Sequence, residues 1–523
     1  MATDLQIAVR KVASLNPATG ELLREFACAG EEEVIAAVAR ARAAQPTWRD
    51  GGLRKRVAVV REFQRRLHEK KSEIAAVITR EAGKPRAEAL VTEVLVVLDA
   101  ARFLIDHAHR LLADEPVPHG NLATKLKSGR LVREPYGVIG IISPWNYPFS
   151  IPATETLAAL VAGNAVVLKP SEFTSLAALE LRSLLHAAGV PEDVFQVIVG
   201  DGATGAALLD SPIDKLVFTG SVATGKRIAA SAAERLLPVV LELGGKDPML
   251  VLDDANLDVA SSAAVWGAFV NAGQACLSVE RCYVHRSLYE QFLTACAEKT
   301  KKLRVGHGGD RETDVGPLIH ERQLRLVEAH VEDAKARGAQ VLAGGTRFPE
   351  LGRNFYRPTV LADVTHQMRI MREETFGPVL PVMAFDSDEE AVRLANDSEY
   401  GLAASVWTRD AKRGARLARR IQAGTVMVND VISCFGISEA PHGGWKASGI
   451  GRAHGRFGLE EMVRLKYLDV DRTPGMKKVW WYGYGEHFAQ QMEGFLDFQF
   501  SRGLRERVSG ALRAAGVVRR KQL

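Results

Sequence analysis

The sequence predicts an α/β fold with a doubly wound parallel sheet. Two observations carry this prediction: short apolar segments recur between residues 138 and 243, and stretches with apolar residues every three or four positions separate them. Buried parallel strands read as continuous Val, Ile and Leu runs, and helices usually connect parallel strands. The apolar segments are Val138–Ile142, Ala165–Leu168, Val194–Val199, Lys215–Phe218 and Val239–Leu243.

Length and composition indicate a globular enzyme of several domains. The 523 residues exceed what one hydrophobic core usually serves, and 47% hydrophobic residues can fill two or three cores. A formal net charge of +5 is small for this length and does not indicate nucleic-acid binding. The N-terminus lacks the pattern of a secretory signal and no apolar run is long enough to span a bilayer, so we expect a cytoplasmic protein.

The cysteines indicate neither a disulfide framework nor a metal site. They are odd in number, scattered, and never spaced as CxxC. We expect four of them to be packing residues and Cys276 to be chemically active. The five are Cys28, Cys276, Cys282, Cys296 and Cys434.

The stretch before the sheet predicts a helical layer followed by a ribbon. From Glu31 to about Leu112, apolar residues recur at helical spacing between charged ones. From about Gly120 to Glu134 the pattern alternates and is partly basic. This pattern suits an exposed strand or hairpin that pairs with a partner subunit.

Polar residues follow three of the predicted strands, at the sheet edge where α/β proteins bind ligands. Asn146 offers an amide that can stabilise an oxyanion, or it caps a local turn. Lys169 and Glu172 place an ammonium beside a carboxylate, which is otherwise a surface ion pair. Glu242, beside two glycines, is either a general base or a solvated loop residue.

Two glycine clusters resemble nucleotide-binding motifs. The GxGxxG match at Gly200–Gly205 is weak, because no acidic residue follows at a strand end about twenty positions on. The cluster at Gly220–Lys226 is followed by Arg227 where a phosphate loop needs Ser or Thr, which excludes a nucleotide triphosphatase. Ser221 remains a candidate pyrophosphate-binding residue, because it lies where the N-terminus of a helix is expected.

Cys276 is the candidate nucleophile, and Gly273 allows the backbone before it to bend tightly. A free thiol is only a few per cent thiolate at neutral pH, so a thiolate-favouring neighbourhood or a nearby base is needed. A buried small hydrophobic residue is the alternative. Further along, Glu374 and Phe376 lie between alternating helices and strands, which predicts a second α/β domain from about residue 244 to 442.

Taken together and in order, six short motifs resemble those of the NAD(P)-dependent aldehyde dehydrogenase superfamily over roughly residues 10 to 470. The segment around Cys276 also resembles a bacterial branch of carotenoid dialdehyde and long-chain aldehyde dehydrogenases. The motifs are PWNYP at 144–148, KPSE at 169–172, FTGSxxxG at 218–225, LELGGK at 241–246, GQxC at 273–276 and EETFGP at 373–378.

The resemblance implies an aldehyde dehydrogenase fold of three parts. A Rossmann-like NAD-binding domain would comprise residues 1–117 and 136–243, and an α/β catalytic domain residues 244–442. Oligomerisation strands would lie within 118–135 and 443–472, giving a homodimer or homotetramer.

The resemblance also implies the chemistry. The Cys276 thiolate would add to an aldehyde while Asn146 holds the oxyanion, and oxidation of the thiohemiacetal by NAD would leave a thioester. Water activated by Glu242 would hydrolyse this thioester to the carboxylic acid rather than pass it to coenzyme A. No metal is implied.

The cofactor residues follow from the same motifs. A carboxylate at Glu172 should repel a 2′-phosphate, so NAD is expected in preference to NADP. The implied roles are the adenosine ribose for Lys169 and Glu172, the pyrophosphate for Gly220 and Ser221, the nicotinamide ribose for Glu374, and the wall beside the ring for Trp145 and Phe376.

The substrate is expected to be an apolar aldehyde, of medium or long chain. Tyr147, Leu277 and Phe435, with Trp145, would line a largely apolar tunnel in which no arginine is expected. Two departures from the superfamily stand out: His442 replaces a common phenylalanine near the substrate mouth, and Ala453 replaces a frequent glutamate. Proton exit through that glutamate position is therefore doubtful.

Residues 473–523 form an extension beyond the usual end of the superfamily. Apolar residues from Met492 to Leu512 recur at nearly helical spacing, with seven basic residues against one acid from Arg502 onward. Basic amphipathic helices with Trp and Tyr can lie in a membrane interface, here at the inner face. Packing on the body or on a neighbouring subunit is the alternative.

Two other classes of function stay open. A cofactor-independent thiol hydrolase or thioesterase would use Cys276 and Glu242, but the Lys169/Glu172 and Glu374/Phe376 pairs would then have no purpose. A noncatalytic binding protein on the same scaffold would be expected to have lost Cys276, Asn146 or Glu242, and all three are present.

Overall fold

The structure is a computed structural model that describes residues 10–516. Within this range the chain forms two compact units. The larger comprises residues 10–112 and 134–464, and the smaller residues 113–133 and 465–516. The N-terminal segment without a secretory pattern and the last three basic residues, Arg519, Arg520 and Lys521, lie outside the described residues.

The chain begins with an antiparallel strand pair, and the predicted helical layer follows it. The elements are β1 (Lys11–Leu15), β2 (Leu22–Ala27), α1 (Glu31–Asp50), α2 (Leu53–Ala82), α3 (Arg86–Glu88), a π-helical turn (Ala89–Val94) and α4 (Leu95–Leu111).

The next part contains the predicted ribbon and the first α/β sheet. Its elements are β3 (Glu115–Val117), β4 (Lys127–Pro135), β5 (Val138–Ile142), α5 (Ser150–Ala162), β6 (Ala165–Lys169), α6 (Ser175–Ala187), β7 (Phe195–Val197), α7 (Gly202–Asp210), β8 (Lys215–Thr219), α8 (Val222–Glu234) and β9 (Val239–Glu242).

The second sheet and the C-terminal elements complete the described chain. They are β10 (Asp247–Val251), α9 (Leu257–Phe269), β11 (Val279–His285), α10 (Tyr289–Lys301), α11 (Glu321–Ala336), β12 (Gln340–Ala343), β13 (Thr359–Ala362), α12 (Arg369–Arg372), β14 (Val379–Phe385), α13 (Asp388–Asn396), β15 (Ala403–Trp407), α14 (Ala411–Ala418), β16 (Thr425–Val428), β17 (Gly449–Ile450), α15 (Gly455–Glu460), β18 (Val463–Asp471), α16 (Phe488–Phe500) and α17 (Leu504–Ala514).

The first sheet confirms the predicted α/β class. Its strand order is β17-β9-β8-β5-β6-β7, and every pairing is parallel except that of the short β17 with β9. All five apolar segments predicted as strands are strands here. Their Val, Ile and Leu side chains are buried in one hydrophobic core together with residues of α1, α2 and α5 to α8, as expected for a doubly wound sheet.

The second sheet has the order β12-β13-β14-β11-β10-β15-β16 and a hydrophobic core of its own. Only the pairing of β12 with β13 is antiparallel among these strands. The predicted domain boundary at residue 243 falls between β9 and β10, which belong to different sheets. The exact division into a cofactor and a catalytic domain stays a prediction.

The smaller unit contains a three-stranded sheet, in the order β18-β4-β3, and a helical hairpin. The helical spacing predicted from Met492 to Leu512 is divided between α16 and α17 by a break at residues 501–503. The two helices approach closely at Gly494 and Gly510, since a Cβ at Gly494 would lie 2.5 Å from the Cβ of Arg513. Within residues 10–516, no helix is both long and apolar enough to cross a membrane.

Candidate active site

A cavity of about 620 Å³ lies in the larger unit, where the loops that follow several strands of both sheets converge. Three of the predicted catalytic side chains, Asn146, Glu242 and Cys276, line it. They come from the loop after β5, the end of β9 and the loop before β11. The predicted residues Trp145, Gly220, Ser221, Glu374, Phe376, Phe435 and His442 also line it.

The loop that carries Cys276 has an unusual backbone. Asn271 and Ala272 have φ values of 53° and 55°, and Gly273 has a φ of 72°. A side chain at Gly273 would collide with the carbonyl group of Gly377, so only glycine fits this close approach. The tight bend predicted before Cys276 is therefore confirmed. Cys276 is partly exposed, whereas the other four cysteines are buried.

Asn146 is tied directly to the loop of the candidate nucleophile. Its Nδ2 donates a hydrogen bond to the backbone carbonyl of Gln274, with a donor–acceptor distance of 3.0 Å. Asn271 donates from Nδ2 to the backbone carbonyls of both Asn146 and Gln274, at 3.0 and 3.1 Å. The amide predicted to hold an oxyanion is thus bound to Gln274, two residues before Cys276.

A buried ion pair that the sequence patterns did not reveal supports Asn146 from behind. Lys84 Nζ lies 2.7 Å from Glu93 Oε1, both side chains are fully buried, and the same ammonium donates to the Asn146 carbonyl at 2.9 Å. Glu93 also accepts hydrogen bonds from the backbone N–H groups of Phe149 and Ser150 at the start of α5. Neither residue belongs to a recognisable motif.

The surroundings of Cys276 favour the neutral thiol. Burial raises the pKa of Cys276 most, and the carboxyl groups of Asp247, Glu374 and Glu242 raise it further. A thiolate-favouring neighbourhood, the first of the two alternatives expected from the sequence, is therefore not observed. For the second alternative, a nearby base, the structure shows that Glu242 lines the same cavity and that burial raises the pKa of this carboxyl group as well.

Glu242 is a buried carboxyl group, and neither of its oxygens has a side-chain hydrogen-bond partner among the described residues. Burial raises its pKa well above the ordinary value, and the nearby Glu155 raises it further. His442 Nε2 lies 3.8 Å from Glu242 Oε2. Because burial and the neighbouring charges lower the pKa of His442 to about 3, this imidazole is neutral at pH 7 and the contact is not an ion pair.

The Glu374–Phe376 segment is held by a second buried ion pair. Glu280 accepts hydrogen bonds from the backbone N–H groups of Thr375 and Phe376 and pairs with Lys246. Glu374 accepts from the backbone N–H of Gly245 at 3.2 Å, and burial raises its pKa to about 8. This network fixes the Glu374 carboxyl group in the cavity wall.

An aromatic wall stands beside this segment. The rings of Trp145 and Phe376 meet edge to face, with their centroids 5.4 Å apart, and His320 lies 5.9 Å from Trp145. Gln323 at the start of α11 donates to the carbonyls of Thr375 and Phe376, both at 3.0 Å. This end of the cavity therefore combines flat rings with one carboxyl group.

Of the residues expected to hold a dinucleotide, Ser221 and the Lys169/Glu172 pair lie at or just after the ends of β8 and β6 in the first sheet. Ser221 is the N-cap of α8 and accepts a hydrogen bond from the backbone N–H of Thr224 at 3.4 Å, so the positive end of that helix faces the cavity. Lys169 and Glu172 form the ion pair anticipated at the end of β6, with 3.5 Å between Nζ and Oε2. This pair is not part of the lining of the 620 Å³ cavity.

Of the residues expected to line a substrate tunnel, Phe435 and His442 line this cavity, and Tyr147 and Leu277 are not among its lining residues. Tyr147 is only 8% exposed and packs against Phe435, with 6.3 Å between ring centroids. Leu277 is buried in a small apolar cluster to which Phe435 also belongs. Both therefore support Phe435 from behind, because their side chains are directed into the core.

Several lining residues were not anticipated, and they add polar groups to a cavity expected to be apolar. Two arginines, Arg322 and Arg325, lie at the start of α11, beside the Phe376 end. Local sequence patterns could not reveal them, because they come from a helix start far from any motif. The other unanticipated polar residues are Thr154, Glu155, Thr219, His320, Gln323 and His454.

Comparison with known proteins gives concordant results. The sequence profile described as the aldehyde dehydrogenase family matches residues 6–468. A 4,4′-diapolycopene aldehyde oxidase of Methylomonas sp is 40% identical over 487 residues, which cover 93% of this chain and 91% of that protein.

Two solved structures have the same fold. An aldehyde dehydrogenase of Bacillus cereus in its NAD+ complex is 37% identical, with a TM-score of 0.84 over 88% of this chain and 93% of its own. An NADP dependent enzyme of E. coli is 35% identical, with a TM-score of 0.84 over 88% and 95%. The cavity and these matches over nearly the whole chain lead to one conclusion: the protein belongs to the aldehyde dehydrogenase family, whose members act on aldehydes with nicotinamide cofactors.

Proposed function

We propose that this protein oxidises an apolar aldehyde to a carboxylic acid with NAD, through a covalent intermediate on Cys276. The observation that carries the proposal is the convergence of Cys276, Asn146 and Glu242, from three distant segments, on one cavity. The test is the absorbance of reduced cofactor when aldehyde and NAD are added. Wild-type protein should produce it and Cys276→Ser should not.

In the first step the Cys276 sulfur adds to the carbonyl carbon and forms a thiohemiacetal. The attacking form is the thiolate, so the thiol proton passes to solvent before attack, and Glu242 is reserved for the hydrolytic water. The oxyanion that forms is held by Asn146 Nδ2 and the backbone N–H of Cys276. Such donors are effective because they are already oriented before charge develops.

NAD, when bound, supplies the two-electron acceptor that turns the thiohemiacetal into a thioester. The residues present fit this group: the N-terminus of α8 with Gly220 and Ser221 suits the pyrophosphate, and Glu374 suits the nicotinamide ribose. Trp145 and Phe376 offer flat surfaces for the nicotinamide ring. Lys169 and Glu172 are assigned to the adenosine ribose.

NAD is proposed over NADP because Glu172 is a carboxylate beside the assigned ribose site, and it would repel a 2′-phosphate. One solved relative is an NAD+ complex and another is an NADP dependent enzyme, so relatives of either kind exist. The ratio of kcat/KM for the two cofactors tests this choice.

In the last step Glu242 takes a proton from water, whose oxygen attacks the thioester carbon and releases the acid. A cofactor-independent thiol hydrolase or thioesterase would share this step but would not need NAD. A noncatalytic binding protein would neither oxidise aldehydes nor hydrolyse thioesters. Oxidation of aldehyde that depends on NAD, with no hydrolysis of thioesters at a comparable rate, separates the proposal from both alternatives.

An apolar substrate of medium or long chain is proposed from the walls of the cavity. Ile151, Leu243 and Phe435 are among its lining residues, and the relative from Methylomonas sp is named for a diapolycopene aldehyde. A panel of unbranched aldehydes from two to about sixteen carbons, with equivalents that end in a carboxylate, tests this. Higher kcat/KM for the carboxylated series would show that Arg322 or Arg325 selects an acidic substrate instead.

A homodimer or homotetramer is proposed from the sheet of the smaller unit. Strand β18 leaves Leu465, Tyr467, Leu468 and Val470 exposed by 64%, 48%, 43% and 57%, an apolar surface that a second subunit would cover. Molar mass in solution tests this. A monomer at micromolar concentration would contradict it.

The C-terminal extension has two kinds of candidate partner. One is an anionic membrane surface, and the other is protein, either the body of the same chain or a neighbouring subunit. The helical hairpin leaves large apolar side chains exposed, including Phe500 at 68%, Leu504 at 78% and Leu512 at 75%. Pelleting with anionic vesicles, compared between the full chain and a chain ending at Thr473, separates the two. If both chains pellet to the same extent, the membrane surface is excluded as the partner of the extension.

A further inference from the structure

A second buried carboxyl group lies beside Glu242 and has no role in the steps above. Glu155 lies on α5, is 5% exposed, and lines the same 620 Å³ cavity. Its Oε1 accepts a hydrogen bond from Thr219 Oγ1 at 3.2 Å, whereas its Oε2 has no partner among the described residues. Buried polar atoms are nearly always paired, so an unpartnered carboxyl oxygen is unusual.

The two carboxyl groups are neighbours through the first sheet. Thr219, which holds Glu155, is the Cα partner of Glu242 in the parallel pairing of β8 with β9. Glu155 is also the neighbouring charge that raises the pKa of Glu242 most, and burial raises the pKa of Glu155 itself to about 8. A group that titrates near neutral pH can both accept and release a proton at little cost.

A small second cavity, of about 30 Å³, adjoins Glu155. It is large enough for a water molecule. Its polar lining includes Glu155, Ser438 and His454, and the Nδ1 of His454 is also buried without a partner among the described residues. Helix α4 contributes only apolar side chains to the wall, namely Ala100, Phe103 and Leu104. Glu155 and His454 line both cavities.

We propose that Glu155 receives the proton that Glu242 takes from the hydrolytic water and passes it into the second cavity, towards His454. This role rests on the proposed function, in which Glu242 activates water. The hydroxyl of that water bonds to the acyl carbon, the carbon–sulfur bond breaks, and the Cys276 sulfur leaves as thiolate. The proton of the water goes first to Glu242 and then to Glu155, so Glu242 is again a base for the next turnover.

Ala453 supplies no second proton acceptor between the two cavities. It lines both cavities and brings no titratable group to the wall that they share. The charged and titratable groups around the pair are His442 and His454, whose pKa values are lowered to about 3 and 4, and Arg452 and Glu461, which act on Glu242 through their charges. Both imidazoles are neutral at pH 7, and Glu155, whose pKa is raised to about 8, accepts the proton once it is ionised, so the route should operate mainly at about pH 8 and above.

The test uses hydrolysis of a p-nitrophenyl ester by the full chain without cofactor. Acylation of Cys276 releases a burst of nitrophenolate, and deacylation by Glu242 sets the steady rate. Glu155→Gln should leave the burst amplitude unchanged and slow the steady rate about tenfold or more. Because Glu155 must be ionised to accept the proton and its pKa is raised to about 8, the acid limb of the wild-type steady rate should follow this group, and glutamine should abolish that limb. A merely structural role would not move this limb.

The controls distinguish the inference from the proposed function. Thr156→Val alters the next residue of α5, which is buried but lines neither cavity, and should leave both phases unchanged. Loss of the burst in Cys276→Ser supports the proposed function, and its persistence would overturn that function. If Glu155→Gln keeps the wild-type steady rate and pH limb while Cys276→Ser still loses the burst, the role of Glu155 is overturned and the proposed function stands.

A second variant keeps the inference testable if Glu155→Gln does not fold. Thr219→Val removes the hydroxyl that stabilises the Glu155 carboxylate, so the pKa of Glu155 should rise. The steady rate should then reach its plateau at higher pH than in the wild type. An unchanged pH profile would contradict the role of Glu155. Restoration of the steady rate by Ala453→Glu, in the Glu155→Gln background, would show that the wall between the cavities needs a carboxyl group.

Discussion

Asn146 and Gln274 are joined by a hydrogen bond of 3.0 Å, from the side-chain amide of the first to the backbone carbonyl of the second. Asn146 follows β5 of the first sheet, and Gln274 precedes β11 of the second. The bond therefore connects the loops of two sheets at the point where the candidate nucleophile, Cys276, lies. This bond explains how the Asn146 amide and the Cys276 sulfur, which come from distant segments, keep a fixed position relative to each other.

Removal of this donor should slow the reaction more than it weakens substrate binding. Asn146→Ala is expected to lower kcat by about 10²- to 10³-fold, roughly 3 to 4 kcal/mol, because the oxyanion exists only after attack. Steady-state kinetics with one aldehyde measure this. A rise in KM with unchanged kcat would mean that Asn146 binds the ground state instead.

The buried Lys84–Glu93 pair should be essential for stability. Lys84→Met leaves the Glu93 carboxylate buried without its cation and is expected to cost about 3 to 5 kcal/mol of unfolding free energy. Urea denaturation measures this cost. Lys70→Met, which breaks the exposed pair of Lys70 with Glu73, should cost less than about 1 kcal/mol. Equal effects of the two variants would disprove the structural role of the buried pair.

Glu172 should discriminate between the two nicotinamide cofactors. Glu172→Gln removes one negative charge beside the assigned ribose site and should raise relative use of NADP about fivefold, from roughly 1 kcal/mol of repulsion in water. The measurement is the ratio of kcat/KM for NADP to that for NAD. Glu180→Gln, on the following helix α6, is the matched control and should leave the ratio unchanged.

The reactivity of Cys276 should rise with pH and not level off near neutrality. In the protein without cofactor the pKa of Cys276 is raised, so little thiolate is present at pH 7 and more forms as the pH increases. The rate of alkylation by iodoacetamide, followed between pH 6 and about 9, measures this. Cys276→Ser should not be alkylated at a comparable rate, since the other cysteines are buried. A plateau already reached below pH 7 would contradict the raised pKa.

The strands and the ends of the strands could be predicted from the sequence because both depend on local patterns. Apolar runs predicted β5, β6, β7, β8 and β9. Asn146 after β5 and Glu242 at the end of β9 meet Cys276 at one cavity. These signals need no knowledge of distant contacts.

The remaining parts of the site depend on tertiary contacts and could not be predicted. Lys84 and Glu93 support Asn146 only because the helical layer packs behind the β5 loop. Tyr147 was expected in the wall, yet its side chain packs behind Phe435. Glu155 has the pattern of an ordinary helical residue, and only the fold buries it beside Glu242.

The central claim is that Cys276 carries an acyl group which Glu242 helps to remove. It is tested most directly by mass spectrometry of Glu242→Gln after reaction with aldehyde and NAD. We predict that the peptide containing Cys276 gains the mass of the acyl group and that wild-type protein accumulates far less of it. Absence of the adduct from that peptide, or its presence on another cysteine such as Cys434, would contradict the account.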